Sequence, residues 1–248
     1  MYNSFMRLDR LLANSGYGSR TEIKAKIRSG RVKWDGGVIY DAGLDVCDED
    51  RGRIQLDGLP VRIRRFYYLM MDKPAGLITA MDDPKHHTIA ELIPPAYHHA
   101  VLFPVGRLDR DTTGLLLLTN DGTLGHRLAS PRFGVNKTYA VSITGNPFDK
   151  VRDPVFFNSG LTLEDGLVCK PAEIRILAPD HAWLTIHEGK YHQVKRMMAA
   201  TGRTVTSLRR LTLGPLQLDK TLASGMVREL TDAEVDALYI QVKLTRPE

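Results

Sequence analysis

Residues 106–118 read GRLDRDTTGLLLL, a charged polar segment that runs directly into four leucines. The turn residues Asn-Asp-Gly at 120–122 follow the apolar run. A short apolar run bounded by turn residues is typical of a fully buried strand. Asp109 therefore lies on a loop that enters the core directly. A carboxylate held rigidly at the end of a sheet is a candidate catalytic group.

Three other segments extend this pattern along the chain. Residues 73–76 read KPAG, residues 137–139 read KTY, and residues 188–197 read EGKYHQVKRM. With the Arg-Leu-Asp loop, and in this order, they resemble the motifs of pseudouridine synthases. The motif YHQVKRM at residues 191–197 resembles the corresponding motif of the RsuA-like enzymes, the branch of the family that acts on small-subunit ribosomal RNA. Because the matches span most of residues 68–240, chance is a poor explanation.

The resemblance implies an α+β domain with a mixed, largely antiparallel sheet flanked by helices. It also implies isomerisation of one uridine to pseudouridine in small-subunit (16S) ribosomal RNA, with no cofactor. Two alternatives stay open. One is the same reaction on large-subunit RNA, and the other is a non-catalytic RNA-binding ribosome-assembly factor whose pocket is a relic.

Pseudouridine formation breaks the bond between sugar and base, turns the freed uracil, and rejoins it through carbon five. Nothing leaves and nothing is oxidised, so one carboxylate suffices while it is ionised. The sequence leaves open whether Asp109 attacks the sugar, attacks the base or moves a sugar proton. Burial raises a carboxyl pKa, so the site needs a cation. By the resemblance, Lys195 is that cation, although lysine lacks the bidentate fork of the arginine in many relatives.

The resemblance assigns roles to three further residues. Tyr139 matches the tyrosine that stacks on the target base, the alternative being a strand aromatic that faces the core. Arg107 would hold the phosphate of the flipped nucleotide or fill the gap it leaves. His192 is expected to give an orienting hydrogen bond. Residues 73–74 and 112–113 are expected to be structural, the threonines through hydroxyl–backbone bonds.

The N-terminal part of the chain concentrates positive charge. Residues 7–33 contain eight Lys or Arg and two acids, a net charge of +6 against +5 for all 248 residues. Leucines 8, 11 and 12 predict a first helix, and Ser19 with Glu22 forms a capping-box pattern that starts a second helix ending at Gly30. A hairpin is predicted over residues 32–40.

On the second predicted helix, Ile23 and Ile27 face inward, while basic residues recur on another face. Two helices and a hairpin with a basic face resemble the ribosomal-S4-type RNA-binding domain. A solvated charged helix is the alternative. Contacts of this kind give salt-dependent docking to RNA phosphates without reading sequence. The predicted RNA-binding residues are Arg7, Arg20, Lys24, Arg28 and Arg31.

The chain is therefore divided into an RNA-binding domain at 1–60, a linker at 61–65 and a catalytic domain at 66–248. Within the catalytic domain, strands are predicted over 66–71, 115–119, 137–143, 168–176, 182–186 and 204–213. Helices are predicted over 123–129, 147–157, 190–200 and 232–241, the last starting with a capping box at Thr231.

Other chemistry is poorly supported. With 43% hydrophobic residues, no run long enough to span a membrane and no signal-peptide pattern, a soluble cytoplasmic protein is expected. Cys47 and Cys169 fit no zinc spacing and are expected to be reduced thiols. The His86-His87 and His98-His99 pairs lack helical ligand spacing, so no metal is predicted. The absence of a phosphate-cradling glycine loop argues against a nucleotide cofactor. Asp111 beside Asp109 is too close in sequence to form a glycosidase pair.

Overall fold

A computed structural model describes residues 6–46, 48–61 and 66–247. The chain divides into two compact units. The first holds the described residues up to Tyr67 together with Ile93–Leu102 and Pro247, and the second holds Tyr68–Leu92 and Phe103–Arg246. Cys47 and residues 62–65, most of the predicted linker, lie outside the described residues. Cys169 is a buried free thiol in the second unit.

The first unit contains two helices and two small antiparallel sheets. The helices are α1 (Leu8–Asn14) and α2 (Arg20–Arg28). One sheet has the spatial order β3 (Gly37–Val38), β2 (Val32–Trp34), β5 (Ile54–Leu56) and β6 (Leu59–Pro60). The other sheet pairs β1 (Met6–Arg7) with β4 (Asp45–Val46). Their apolar faces form one core that includes Leu8, Leu11, Leu12, Ile23, Ile27, Val32, Val46 and Ile54.

In the first unit, the capping pattern, the helices and the hairpin predicted from the sequence are present in the structure. The Ser19 side chain accepts a hydrogen bond from the Glu22 backbone N–H, and the Glu22 carboxylate accepts one from the Ser19 N–H, so the capping box is confirmed. The two helices and the hairpin are confirmed as well. The second helix was predicted to end at Gly30, and Arg31 lies beyond it. That helix ends at Arg28, because Gly30, at φ +74°, turns the chain into β2.

The second unit is organised around a nine-stranded sheet. Its main spatial order is β11 (Glu173–Ala178), β12 (His181–Ile186), β10 (Lys137–Gly145), β13 (Arg203–Leu213), β9 (Thr113–Thr119), β7 (Tyr68–Lys73) and β15 (Val227–Glu229). Two short strands extend it, β14 (Leu216–Gln217) beside β13 and β8 (Phe103–Pro104) beside β9. Of the described pairings only β9 with β13 is parallel. The predicted mixed, largely antiparallel sheet of an α+β protein is thus confirmed.

The parallel pair brings two backbones into unusually close contact at Gly114. A Cβ at this position would collide with the backbone oxygen of Arg210, and the residue has φ +100°. Only glycine combines that conformation with that approach. The polar segment before β9 is therefore fixed against β13 at the point where it enters the sheet.

Helices cover the sheet, and short turns connect the elements. The helices are α3 (Gly122–Ala129), α4 (Arg152–Asn158), α5 (Gln193–Ala199) and α6 (Asp232–Gln241). Short 3₁₀ helices lie at Asp48–Arg53, Ile89–Leu92, Pro95–Tyr97 and Pro131–Phe133. The capping box of α6 at Thr231 is confirmed. Among the helices that are described, none has both the length and the apolar character needed to cross a membrane.

Three predicted boundaries in the second unit differ from the structure by three residues or more. Helix α4 begins later than predicted, since the Asp149 carboxylate accepts hydrogen bonds from the next backbone N–H groups and forms a turn first. Helix α5 begins at Gln193 and not at residue 190, because His192 has the left-handed conformation. Strand β11 begins at Glu173, as Pro171 cannot donate to a strand ladder.

Candidate active site

Residues 106–113, here called the Asp109 loop, are tied to the preceding segment at two points. The Thr79 hydroxyl accepts a hydrogen bond from the Leu108 N–H at 3.1 Å and donates one to the Leu108 carbonyl at 2.7 Å. The Gly76 N–H donates to the Arg110 carbonyl, and the Arg110 guanidinium donates back to the Gly76 carbonyl. Asp109 lies between these anchors, so its backbone position is fixed.

Lys73 supports the same loop from below. It is the last residue of β7, a strand whose residues are all buried. Its Nζ shares hydrogen bonds among four carbonyl oxygens, at 3.0 to 3.3 Å. Three of those carbonyls belong to the Asp109 loop: Asp109, Arg110 and Thr112. Residues 73–74 were expected to be structural. Lys73 does more than end a strand, because it also holds the backbone of the candidate catalytic residue.

The charge of Lys73 contributes to the electrostatics of the loop. Burial lowers the pKa of Lys73 to about 8, and the nearby carboxylates of Asp111 and Asp109 act in the opposite direction. The ammonium is thus mostly protonated at neutral pH. A positive charge beneath a carboxylate favours its ionised form.

Helix α5 brings Lys195 to the loop. Its Nζ lies 3.4 Å from Oδ2 of Asp109 and 2.6 Å from Oδ1 of Asp111. Nε2 of His192 lies 3.5 Å from Oδ1 of Asp109. The side chains of Asp109 and Lys195 are 30% and 26% exposed, so this pair is partly open to solvent. Lys195 accordingly bridges the carboxylates of Asp109 and Asp111, whereas only its pairing with Asp109 was predicted from the sequence.

The bridge stabilises the charged forms of its members. Partial burial opposes the charge on Lys195, but the hydrogen bond to Asp111 and the negative charges of Asp109 and Asp111 raise its pKa above the ordinary lysine value. The hydrogen bond from Lys195 also lowers the pKa of Asp111. Lys195 is therefore a permanent cation beside Asp109 throughout the physiological pH range.

The predicted site residues of the second unit line one cleft of about 70 Å³. The lining includes all five of them: Arg107, Asp109, Tyr139, His192 and Lys195. They come from the Asp109 loop, from β10 and from the segment that starts α5. Arg107 is exposed, whereas Tyr139 is almost fully buried and is one of the residues that line the cleft. A charged group, an aromatic ring and a partly exposed carboxylate thus converge where a planar base could bind.

Two more buried cations lie behind Tyr139 in the sheet. Arg210 is opposite Tyr139 in the β10–β13 register, and its Nε donates to the Leu115 carbonyl at 2.7 Å. Lys137 lies on the same face of β10, and burial together with the charge of Arg210 lowers its pKa to about 8. These positive charges add to the potential that favours an anion in front of them.

The two threonines of the loop behave differently. The Thr113 hydroxyl donates to the Leu208 carbonyl at 3.4 Å, as the expected hydroxyl–backbone bond requires. The Thr112 hydroxyl is buried at the cleft and has no hydrogen-bond partner among the described residues. The expectation is confirmed for Thr113 and wrong for Thr112.

A larger cavity, of about 990 Å³, lies beside α4. Its wall combines apolar side chains such as Phe148 and Phe156 with the Arg203–Asp153 ion pair. The two charges are 2.6 Å apart and neutralise each other. The smaller cleft is the candidate active site, because the Asp109 carboxylate lies there beside Lys195 and His192.

In the first unit, three of the predicted RNA-binding residues meet at Asp9, which is fully buried. Nitrogen atoms of Arg7, Arg20 and Lys24 lie 3.3, 3.6 and 3.7 Å from its carboxylate oxygens. Although burial opposes ionisation, the hydrogen bond from Arg7 and the charges of Arg7 and Arg20 lower the pKa of Asp9. We call these four residues the Asp9 cluster. Its three cationic ends are about half exposed, and the four residues together carry a net charge of +2.

The remaining predicted residues lie apart from the Asp9 cluster. Arg28 is exposed at the end of α2. Arg31 makes two hydrogen bonds of 2.6 Å to Asp57, which raise the pKa of Arg31 and neutralise its charge locally. The structure therefore brings together three of the five predicted cations.

Sequence reasoning missed three residues of the cleft or its surroundings. Lys73 could have been found as a charged residue that ends a buried apolar strand. Asp111 was set aside as a glycosidase carboxylate, and its pairing with Lys195 had no sequence signal. Tyr191, placed on a helix by its spacing, actually precedes α5 and is exposed.

Comparison with known proteins agrees with this geometry. The family model for RNA pseudouridylate synthase matches residues 67–200, and the model for the S4 domain matches residues 6–51. An uncharacterized RNA pseudouridine synthase of Bacillus subtilis, YtzG, is 45% identical over 94% of this chain and 98% of its own length. Ribosomal small subunit pseudouridine synthase A of Escherichia coli is 38% identical over 93% of this chain and 98% of its own length.

A solved crystal structure of a pseudouridylate synthase has 36% sequence identity and a TM-score of 0.66, and covers 94% of this chain and 99% of its own. The fold, the cleft and these matches define a pseudouridine synthase preceded by an S4 domain. The chain belongs to the RNA pseudouridylate synthase family.

Proposed function

We propose that this enzyme isomerises one specific uridine of small-subunit ribosomal RNA to pseudouridine, in the cytoplasm. The observation that carries the proposal is the cleft in which Asp109 faces Lys195 and His192. The relatives named ribosomal small subunit pseudouridine synthase A support the choice of RNA, since they match nearly the whole chain. The S4 domain supports an RNA substrate.

The reaction needs an ionised carboxylate at a flipped nucleotide. The C1′–N1 bond breaks, the uracil turns, a C1′–C5 bond forms, and the proton lost from C5 is balanced by the proton gained at N1. In our proposal Asp109 is the reacting carboxylate, and Lys195 is the cation beside it. Tyr139 contacts the base.

The other residues position the RNA. Arg107, which is exposed at the cleft, meets the phosphate of the flipped nucleotide or fills its place in the stack. His192 orients the Asp109 carboxylate. On the first unit, Arg7, Arg20, Lys24 and Arg28 dock the phosphate backbone. No cofactor takes part in the proposed reaction, because it is a rearrangement without oxidation.

The experiment is a pseudouridine map of ribosomal RNA from cells with and without this chain. One small-subunit uridine should lose its modification, and wild-type protein should restore it. The Asp109→Asn variant should fail to restore it while binding RNA almost as well as wild type, since the amide is neutral and cannot act as base or nucleophile. If a uridine of large-subunit RNA loses its modification instead, the substrate is large-subunit RNA and not small-subunit RNA. An unchanged map would refute the isomerase proposal and leave a binding role.

A further inference from the structure

Two aromatic rings stand next to each other at the rim of the Asp109 cleft. The rings of Tyr191 and His192 are stacked, with centroids 3.9 Å apart and planes inclined by 17°. His192 lines the cleft and lies 3.5 Å from the Asp109 carboxylate. Tyr191 is 77% exposed, so the ring face turned away from His192 is open. A planar, solvent-facing surface therefore begins directly beside the reacting carboxylate.

The backbone that presents these rings is strained. His192 has φ +48° and ψ +32°, the left-handed conformation, which non-glycine residues adopt rarely. Such strain persists only where the surroundings fix the backbone, and it is common at ligand-binding positions. The exposure of Tyr191 is thus imposed by the fold of its segment.

Buried polar groups fix this segment on both sides of the strained residue. The Gln193 amide donates to the Glu188 carboxylate at 2.8 Å, and both side chains are buried. The Gln193 side-chain oxygen accepts from the Lys190 N–H at 3.0 Å, and the Lys170 N–H donates to Glu188 at 2.9 Å. Lys190 also donates through Nζ to the Val168 carbonyl. The tyrosine–histidine pair is therefore a preorganised surface.

The chemistry of the reaction indicates what binds there. When a uridine leaves its stack, each neighbouring base loses a stacking partner on one face. Exposed aromatic side chains replace such partners in single-stranded nucleic-acid sites, because every base has a π face. The exposed Arg107 in the cleft wall would attract a phosphate next to the flipped nucleotide.

We propose that the stacked pair of Tyr191 and His192 is a binding subsite for the unpaired nucleobase adjacent to the target uridine, with Tyr191 as the stacking platform. The inference rests on the proposed isomerase function. It goes further, because it assigns a second nucleotide site outside the pocket that holds the reacting base. The subsite accepts any base, since stacking does not read hydrogen-bonding edges.

The test uses wild-type enzyme, Tyr191→Leu and Tyr191→Phe, with the ribosomal RNA fragment that wild type modifies. Leucine keeps apolar bulk but removes the π face, and we expect about a tenfold rise in KM with kcat changed less than twofold. Phenylalanine keeps the ring and should restore the wild-type KM. The control is Phe156→Leu, which removes an exposed aromatic side chain on α4, outside the cleft.

A second set of experiments tests which nucleotide of the RNA contacts Tyr191. The base on the 5′ side or on the 3′ side of the target is replaced by an abasic nucleotide, each in a separate RNA. For one of the two, we expect the KM of wild type to rise about tenfold and the KM of Tyr191→Leu to change less than twofold. Such non-additivity is the signature of a direct contact.

The failures of the two proposals are distinguishable. If wild type forms no pseudouridine in small-subunit RNA, the proposed function fails, and the arms are run on whichever RNA it does modify. If wild type is active but Tyr191→Leu has an unchanged KM, the subsite is refuted. If the losses from Tyr191→Leu and from both abasic RNAs are fully additive, the platform is refuted as well.

Discussion

Each unit has a buried charge beneath its functional surface, and the two charges have opposite signs. In the first unit the buried Asp9 carboxylate gathers the cationic ends of Arg7, Arg20 and Lys24. In the second unit the buried Lys73 ammonium gathers four backbone carbonyls below Asp109. The proposed docking surface is thus organised through flexible side chains, and the loop of the candidate catalytic residue through its backbone.

The difference follows from the precision that each task requires. Phosphate docking tolerates shifts of a long side chain, because its attraction is electrostatic and not directional. Bond rearrangement needs the carboxylate within about 0.5 Å of its productive position, which requires a fixed backbone. The comparison therefore predicts different consequences when each buried charge is removed.

The largest effect is expected from Lys73→Met. Four carbonyls lose their donor, and the free energy of unfolding should fall by about 3 kcal/mol or more, since each buried unsatisfied group costs about 1–3 kcal/mol. The rate of isomerisation should fall at least about tenfold, because Asp109 loses its fixed position. Urea unfolding and single-turnover assays measure both. Lys85→Met, at an exposed position, is the control and should change stability by less than about 0.5 kcal/mol.

The pH dependence sharpens this prediction. In the folded protein the pKa of Lys73 is lowered to about 8 from 10.5, so between these values the unfolded chain binds more protons on this lysine. The stability of wild type should therefore rise relative to Lys73→Met as pH increases through this window, by about 2 kcal/mol between pH 7.5 and 9.5. A difference that stays flat with pH would show that Lys73 is not desolvated.

An intermediate effect is expected from Asp9→Asn. The free energy of unfolding should fall by about 1–2 kcal/mol, less than for a fully buried ion pair because the three cations are about half exposed. The loss of one negative charge would by itself tighten binding to RNA phosphates. The same substitution also removes the carboxylate that holds the three cationic side chains together, and this second effect should weaken binding. We expect RNA affinity to fall about threefold in a filter-binding titration. Asp45→Asn makes the same charge change at an exposed position and should not weaken binding.

The dependence of stability on pH in the acidic range provides a second test of the role of Asp9. Its pKa is lowered below 3.8, so its contribution is complete above that value and is lost as pH falls through the folded pKa. The stability difference between wild type and Asp9→Asn should be constant from pH 5 to 8 and close below about pH 4. A difference that closes near neutral pH would contradict the assignment.

The smallest effect is expected from Asp111→Asn. The Asp111 side chain is 70% exposed, and exposed ion pairs contribute less than about 1 kcal/mol. Lys195 loses one of its two carboxylates but remains 3.4 Å from Asp109. The rate of isomerisation should stay within about threefold of wild type. If Asp111→Asn is as inactive as Asp109→Asn, both carboxylates take part in the reaction.

Local signals determined the elements whose causes are local. Capping boxes at Ser19 and Thr231 predicted two helix starts because the bonds they form join residues three positions apart. The start of the helix before residue 200 was predicted too early. Its sequence favours a helix, but His192 adopts the left-handed conformation in a segment held by the buried Glu188–Gln193 contact, which joins residues outside the helix pattern.

For the candidate site, the sequence supplied the residue types and a resemblance supplied their grouping. The proximity of Asp109, Tyr139 and Lys195 could not be obtained from spacing, because β10 and α5 reach the loop only through the order of strands in the sheet. Likewise, the sequence placed Arg31 with the other cations, while the structure pairs it with Asp57.

The sequence by itself determined the class of fold and the basic N-terminal segment, since these depend on residue type and on short-range periodicity, and its resemblance to a known family pointed to Asp109 and Lys195 as the candidate carboxylate and cation. Only the tertiary structure decided that Lys195 bridges two carboxylates, that Lys73 holds the loop and that Tyr191 faces solvent. The physical reason is that hydrogen bonds and desolvation act over a few ångströms in space, between residues that the chain order separates widely.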